Sequence, residues 1–230
     1  MKPTDVFQKV MGEKRNNLTE LEAREILKYY RIPVVRGEVV KTIEGALNFA
    51  EKHGYPLALK VVSRQIIHKT DVGGVILNVG GEKELRSAFE QIIKNVRRKK
   101  RDAIIDGIFV QEMMESAPEV IIGGKMDHTF GHIILFGLGG VFVDVFDDVA
   151  IRVVPISRKD AYSMIQEIKG YRILQGYRGG EPSDLRALVD ILMKTSRMLE
   201  ENQEIKELDI NPVFALPDRA VAVDARIIIE

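Results

Sequence analysis

Lys60 is the one charge inside Gly54-Tyr55-Pro56-Leu57-Ala58-Leu59-Lys60-Val61-Val62, an apolar run rich in β-favouring residues. The chain then opens into His68-Lys69-Thr70-Asp71-Val72-Gly73-Gly74. A lysine in a buried strand is costly to desolvate unless an anion partners it, and phosphate is the usual one. The glycine pair would let backbone N–H groups approach such an anion closely. Alone, Lys60 reads better as a snorkelling lysine at a sheet edge. With His68, Lys69, Gly73 and Gly74 beside it, the reading becomes a nucleotide phosphate site with a histidine next to it. No Walker-type Gly-x-x-x-x-Gly-Lys and no Rossmann glycine fingerprint occurs, so those two nucleotide folds are unsupported.

An isolated histidine is by default a loop residue. The chemistry open to His68 is nucleophilic: a neutral imidazole nitrogen accepts a phosphoryl group when an acceptor fixes the other nitrogen. Asp71 is a conceivable orienting partner. His53, at a helix end, and His128 and His132, at strand ends, are expected to be structural. Four scattered histidines do not make a metal site.

A second constellation is Glu207-Leu208-Asp209-Ile210-Asn211-Pro212, followed by Asp224. Residues 207, 209 and 211 share one face of an extended strand. A two-residue turn at Pro217-Asp218 pairs Leu216 with Arg219 and sets Asn211 opposite Asp224, with Cβ atoms about 5 Å apart. Carboxylate and amide oxygens there would suit Mg²⁺ bridging nucleotide phosphates. A slip of one residue would turn Asp224 away; the alternative is a solvated polar strand face. Glu112-Met113-Met114 closes an apolar strand where backbone groups could meet an adenine edge, or is merely a strand end. Glu119 and Asp144 could reach ribose or metal, and Arg152 could counter a phosphoryl charge. Each alone is more often a surface residue. Gly176-Tyr177-Arg178-Gly179-Gly180 is either solvated or a docking loop for an anionic segment.

The elements that must hold these residues follow from pattern. Residues 1–17 are polar, without a clear period, and read as an arm or short helix. Thr19 and Glu22 make a capping box for a helix ending before Ile32-Pro33. Strands are expected at Val34–Val40, Leu57–Val62, Val75–Val79 and Ile104–Gln111, with helices at Thr42–His53 and Glu82–Arg98 between them. A denser β region follows at Glu119–Met126, His132–Phe136, Val141–Phe146 and Ile151–Ile156, with a tight turn at Gly137–Gly140. Helices from Ser157 and over Pro182–Glu201 precede two closing strands, Ile205–Ala215 and Ala220–Ile229. The expected division is an arm at 1–17, a first lobe at 18–112 and a second at 113–230.

Composition sets the surroundings. With 230 residues and 45% hydrophobic, the chain can bury a sizeable core. Lys+Arg 34 balances Asp+Glu 34, so no global field draws nucleic acid or an anionic membrane. The basic run Arg97–Arg101 suits the negative end of a helix dipole. Cysteine is absent, which excludes disulfides and thiol catalysis. No apolar run approaches about 18 residues and no signal-peptide core is present, so the expected setting is soluble and cytoplasmic.

Taken in order, these segments resemble an ATP-grasp domain over nearly the full length. More narrowly, the chain resembles the β subunit of ADP-forming acetyl-CoA (acyl-CoA) synthetases. The resemblance rests on Leu18-Thr19-Glu20-Leu21-Glu22-Ala23, Gly54 to Lys60 and His68-Lys69-Thr70-Asp71-Val72-Gly73-Gly74-Val75. Phe136-Gly137-Leu138-Gly139-Gly140, Arg152-Val153-Val154-Pro155 and Glu207 to Pro212 complete it. The glycine-tyrosine-proline strand is shared by many ATP-grasp proteins; the histidine segment joined to the other five is specific.

The resemblance implies an α+β fold of two α/β lobes clamping ATP or ADP. The implied activity is the reversible conversion of acyl-CoA, phosphate and ADP into acid, CoA and ATP. A separate α subunit, or a fused region, carries the CoA site and a catalytic histidine; with a separate subunit the implied assembly is α2β2. In some members its phosphoryl group is relayed to a β-subunit histidine, matched here by His68, and on to ADP. By the same matching Lys60 holds nucleotide phosphate, and Asn211 and Asp224 hold Mg²⁺; the residue reading above adds Lys69, Gly73, Gly74 and Glu119 as nucleotide-binding candidates. Asp209 joins the metal shell, and Glu112, Met113 and Met114 form the adenine hinge. Succinyl-CoA synthetase β subunits carry a further C-terminal CoA-ligase domain; this sequence ends at Glu230, so it is expected not to perform the thioester step alone. Two other readings stay open: a stand-alone ATP-grasp ligase making an acyl phosphate, and a non-catalytic nucleotide-binding module.

Overall fold

Most of the expected elements form where the pattern places them. In the computed structural model, which describes residues 1–66, 68–114, 117–139 and 148–230, Thr19 caps α2 (Glu20–Tyr29), α1 being Pro3–Gly12. The capping box is complete: Glu22 donates its N–H to Thr19 Oγ1 at 3.3 Å, and its carboxylate accepts the Thr19 N–H at 2.9 Å. Then come β1 (Gly37–Val40), α3 (Ile43–His53), β2 (Leu57–Val62), β3 (Val75–Val79), α4 (Glu82–Lys99) and β4 (Gly107–Glu112). Thr42 caps α3, and Gly54 ends it at φ +79°, a conformation that favours glycine. These strands make one antiparallel sheet in the order β1-β4-β2-β3. Leu57, Leu59 and Val61 of β2 pack with Phe49 of α3 and Leu85, Phe89 and Ile92 of α4 in its core.

The second sheet runs β10-β8-β5-β6-β7, with β9 beside β8. Its strands are β5 (Glu119–Asp127), β6 (Gly131–Leu138), β7 (Val149–Val153), β8 (Ile205–Ala215), β9 (Ala220–Ala222) and β10 (Ala225–Ile229). All its pairs are antiparallel. Helices α5 (Arg158–Glu167), α6 (Tyr171–Leu174) and α7 (Leu185–Glu201) lie between β7 and β8. Ile122, Ile134, Phe136 and Ile210 of the sheet share a core with Met164 and Ile165 of α5 and Leu188 and Leu192 of α7. Two antiparallel sheets with helices make the fold α+β.

Of the two readings of residues 1–17 the helix is the one that forms, with Val6, Phe7 and Val10 all buried on one side of α1. Three expectations need correcting. Met1–Val34 groups with Ser116–Glu230 and not with Val35–Glu115, so the segment 18–34 leaves the first lobe. The cause is long-range: Leu18 donates its N–H to Ile227 O at 3.0 Å, and Ala23, Ile26 and Leu27 join the second sheet's core. Gly137 is within β6, not in a turn; a Cβ there would lie 2.9 Å from Val149 Cγ1 and 3.0 Å from Asp148 O. The loop at 170–180 holds α6 and a short 3-10 turn at Tyr177–Gly179. The strand expected at Val141–Phe146, with Asp144, lies outside the described residues, as does the side chain of Arg178.

The N-terminal helices are tied down by a charge cluster. Glu22 accepts hydrogen bonds from Arg15 Nη1 and Nη2 at 3.2 and 3.0 Å and from Lys9 Nζ at 3.2 Å. Burial alone would raise the Glu22 carboxyl's pKa, but Arg15, the Thr19 backbone, Lys9 and the Thr19 hydroxyl outweigh it and hold the value at about 2. A depressed carboxylate stabilises the fold fully above its ordinary value of 4.5, and that contribution fades as pH falls toward 2. It is on the order of 2–3 kcal/mol at neutral pH. Urea unfolding of Glu22→Gln is therefore expected to show a deficit of that order at pH 7 that shrinks markedly at pH 3. An equal deficit at both pH values would show that the ion cluster is not its source.

Candidate functional site

In the Val35–Glu115 unit the site is built on an interior strand. β2 lies between β4 and β3, with Lys60 opposite Phe109 on one side and Val75 on the other. Because side chains alternate, Leu57, Leu59 and Val61 enter the helix-covered core, while Ala58 and Lys60 emerge on the opposite face. Lys60 is only 7% exposed there. That face also carries Gln111, paired with Ala58 and 2% exposed, whose side-chain oxygen is buried without a hydrogen-bond partner. A buried ammonium and an unsatisfied buried acceptor on one face fit a polar ligand far better than a plain sheet surface. The burial of Lys60 agrees with the sequence reading.

β2 runs directly into the His68 loop. Val61 donates its N–H to Gly74 O at 2.7 Å, so the loop closes back on the strand that leaves it. His68 is exposed and Lys69 is half-buried. Among the described residues no hydrogen bond joins His68 to Asp71, whose carbonyl instead accepts Lys99 Nζ.

The glycine pair is corrected. The Gly73 N–H is taken by Thr70 O at 2.9 Å and the Gly74 N–H by Lys69 O at 2.8 Å, so neither is offered to an anion. Their small size serves packing. A Cβ on Gly74 would stand 2.5 Å from Val61 Cγ1, and Gly73, at φ +65°, lies against Asn95.

The strand-end residues divide similarly. Glu112 pairs with His53 Nδ1 at 3.3 Å and Arg36 Nη1 at 3.5 Å. The Glu112 N–H goes to Arg36 O at 3.0 Å, and the Met113 N–H to Pro56 O at 3.1 Å. Of the three hinge residues, Met114 is the one whose N–H has no described partner.

In the other unit the expected register is the observed one. Leu216 donates to Arg219 O at 2.9 Å, Ala225 pairs with Ile210, Arg226 with Asp209, and Asn211 donates its N–H to Asp224 O at 3.2 Å. Asn211 therefore faces Asp224 across the strand pair. Leu208 and Ile210 enter the core, and Glu207, Asp209 and Asn211 line the exposed face. One Asp224 oxygen accepts the Ala225 N–H at 2.8 Å.

Asp209 is open to solvent on one side, yet the surrounding protein withdraws enough water to raise its carboxyl pKa. Arg226 opposes the rise, and the charges of Asp224 and Glu207 add to it. Hard oxygens on a face with surplus negative charge fit a divalent cation of the Mg²⁺ type, which takes one or two protein ligands and completes its shell with phosphate and water. Among the described residues no group of three or more His, Cys, Asp or Glu could hold a metal unaided.

Arg152 is not part of this face. In the ladder it stands opposite Ile134, a core-facing residue, and turns toward the helices. There its guanidinium meets Glu167 Oε2 at 2.5 Å and Ser163 Oγ at 3.4 Å. The expectation that it counters a phosphoryl charge fails because strand alternation puts it on the other side of the sheet. Glu119 opens β5 opposite Phe214, and its carbonyl accepts the Gly139 N–H at 2.6 Å. His132 is buried, with Nε2 2.7 Å from Ile205 O, and His53 serves Glu112; both are structural, as expected.

Comparison with known proteins points the same way. A family model described as an ATP-grasp domain matches residues 9–229. The acetate–CoA ligase [ADP-forming] I subunit beta of Pyrococcus furiosus is 46% identical over 228 residues, covering 99% of this chain and 98% of that one. The acetate–CoA ligase [ADP-forming] I of Archaeoglobus fulgidus is 40% identical, and there the match covers 99% of this chain but 33% of the relative. Among solved structures, the acetyl-coenzyme A synthetase 1 of Ca. Korarchaeum cryptofilum, in complex with coenzyme A and Ca-AMPCP, superposes with a TM-score of 0.93 at 46% identity. That match covers 98% of this chain and 99% of the other. The same enzyme with Mg-AMPPCP, its phosphohistidine segment described as pointing towards the nucleotide binding site, gives 0.87 at 43% identity over 99% of this chain and 100% of the other.

Proposed function

This chain belongs to the ATP-grasp family, among the nucleotide-binding β subunits of ADP-forming acetate–CoA ligases, and from that premise we propose how its own residues work. His68 takes a phosphoryl group from a phosphohistidine of a CoA-binding α subunit and passes it to ADP. In the first step the P–N bond to the partner's histidine breaks as a P–N bond to His68 forms. In the second that bond breaks as a β-phosphate oxygen of ADP takes the phosphorus, leaving His68 neutral. The reverse sequence spends ATP. The observation that carries this reading is the buried ammonium of Lys60 on β2 a few residues ahead of the exposed imidazole of His68. Charge and nucleophile thus stand on one short stretch of chain.

Lys60 neutralises nucleotide phosphate oxygens, and its desolvation makes that contact strong. Gln111 supplies the acceptor that lacks a partner on the same face. Lys69 adds charge next to the transferring group. Met114 offers its N–H to the adenine edge, with Glu112 holding the strand end through His53 and Arg36. Asn211 and Asp224 would hold Mg²⁺, with Asp209 beside them, and the ion when bound would spread the charge of the terminal phosphates. The relative in which this region is one third of a longer chain supports an α partner that brings the CoA chemistry, assembled here as α2β2. No helix among the described residues is long and apolar enough to cross a membrane, which is compatible with a cytoplasmic enzyme.

The test is reconstitution. The chain copurified with a CoA-binding partner should form ATP from acetyl-CoA, ADP and phosphate, and neither subunit should do so alone. Turnover by this chain without the partner, given only a carboxylate and ATP, would favour a stand-alone acyl-phosphate ligase.

A further inference from the structure

The basic run at the end of α4 does more than face a helix dipole. Asn95 and Lys99 are four residues apart, hence on one side of the helix, and both reach the His68 loop. Asn95 Nδ2 donates to Gly73 O at 3.1 Å, and Lys99 Nζ donates to Asp71 O. Just past the helix, Lys100 Nζ donates to Gln65 O at 3.3 Å, and Gln65 Oε1 accepts the Ile104 N–H at 2.6 Å. Three side chains from residues 95–100 thus grip backbone carbonyls on both flanks of residue 68. The grip has an apolar floor: Ile66 and Val72, on either side of the histidine, are 4% and 6% exposed within the core beneath α3 and α4. His68 stands exposed between these two anchors. Gly73 completes the fit, because a Cβ there would come within 2.8 Å of Asn95 Nδ2.

We propose that Asn95, Lys99 and Lys100 form a clasp of positioning residues that holds the His68 loop in the one arrangement from which its imidazole can carry a phosphoryl group. This rests on the phosphoryl relay proposed above. None of the three needs to touch the transferring group. Their role is to remove the loop's alternatives, and in an in-line transfer a misplacement of about 1 Å can cost about a hundredfold in rate. The lysine bonds are solvent-exposed and individually weak, so the clasp restrains the loop without freezing it. The half-buried Asn95 bond is its firmest point.

Three variants test it in the enzyme assembled with its α partner. Asn95→Asp keeps the shape but removes the Nδ2 donor. Lys99→Met/Lys100→Met removes both ammonium donors, and Lys99→Arg/Lys100→Arg keeps donors at both places. Amide exchange at Gly73 and Gly74, whose N–H groups close the loop, is expected to quicken at least about tenfold in the first two and to stay near wild type in the arginine variant. The single-turnover rate of acid-labile phosphate appearing on residue 68 from Mg-ATP is expected to fall about tenfold to a hundredfold in the first two. Mg-ATP affinity by calorimetry should change less than about twofold, and the arginine variant should recover the rate.

Unchanged exchange in the donor-removing variants would overturn the clasp. Faster exchange with an unchanged transfer rate would overturn its positioning role, as would parallel losses of rate and nucleotide affinity. If the wild-type enzyme never acquires phosphate on residue 68, the relay itself fails and this role falls with it. The exchange data would still report whether the grip exists.

Discussion

His68→Ala, assembled with the α partner, is expected to show no acid-labile phosphate on the β chain and to form ATP from acetyl-CoA at least about a thousandfold more slowly than wild type. In the proposed relay alanine removes the nitrogen that would carry the phosphoryl group between two sites, and no neighbouring side chain could replace it. Lys69, next in sequence, has no imidazole nitrogen to take that part. Nucleotide affinity should change little, because Lys60, Gln111 and the Asn211–Asp224 pair are untouched. The two measurements together separate a lost carrier from a damaged fold. Retained turnover with calorimetrically normal ADP binding would mean that the partner's histidine hands its phosphoryl group straight to the nucleotide. His68 would then be an ordinary loop residue.

Signals confined to a few residues are legible in the sequence. The Thr19–Glu22 box and the bounds of the helix expected at Thr42–His53 each rest on residues within one helical turn, and both form as the residue types require. The Asn211–Asp224 register was legible for a similar reason: a two-residue turn at Pro217-Asp218 leaves a hairpin one natural pairing, and alternation then decides which side chains meet. The burial of Lys60 was legible because the charge lies inside an apolar, β-favouring run.

Where the reading failed, the deciding contact lay elsewhere in the chain. Arg152 sits within an apolar stretch, and the side to which it points depends on β7 pairing with β6 and on Glu167 of α5. Residues 18–34 precede the first sheet in sequence, yet their apolar stripe is covered by strands some two hundred residues later, beginning with the Leu18 to Ile227 bond. The glycine pair misled for a subtler reason. The loop closes tightly enough to use up both N–H groups inside itself, and the glycines are there for Val61 and Asn95. The choice between arm and helix at residues 1–17 stayed open because Val6, Phe7 and Val10 make one short stripe beneath a polar surface, too few residues to register as a period.

The exposed face of β8 and β10 carries the other large effect. Asp224→Ala and Asn211→Ala are each expected to raise the Mg²⁺ concentration needed for half-maximal ATP formation by at least about tenfold. The double variant should fall well short of the product of the two, because residues that share one ion lose it once. The fold should be preserved: both side chains lie off the core, and the backbone bond from Asn211 N–H to Asp224 O does not need them. A second readout is independent of turnover. Adding Mg²⁺ should strengthen ADP binding to the wild-type chain and should have little effect on either variant. Asp209→Ala is the internal control, since Arg226 stands opposite it and Asp224 opposite Asn211. Its loss removes one negative charge from the face but neither of the two facing oxygens, so it should shift the Mg²⁺ requirement less than the loss of Asp224. Equal shifts for Asp209→Ala and Asp224→Ala, with almost none for the uncharged Asn211→Ala, would mean that the face attracts the cation by diffuse charge alone, and the assignment of Asn211 and Asp224 as direct ligands would fall.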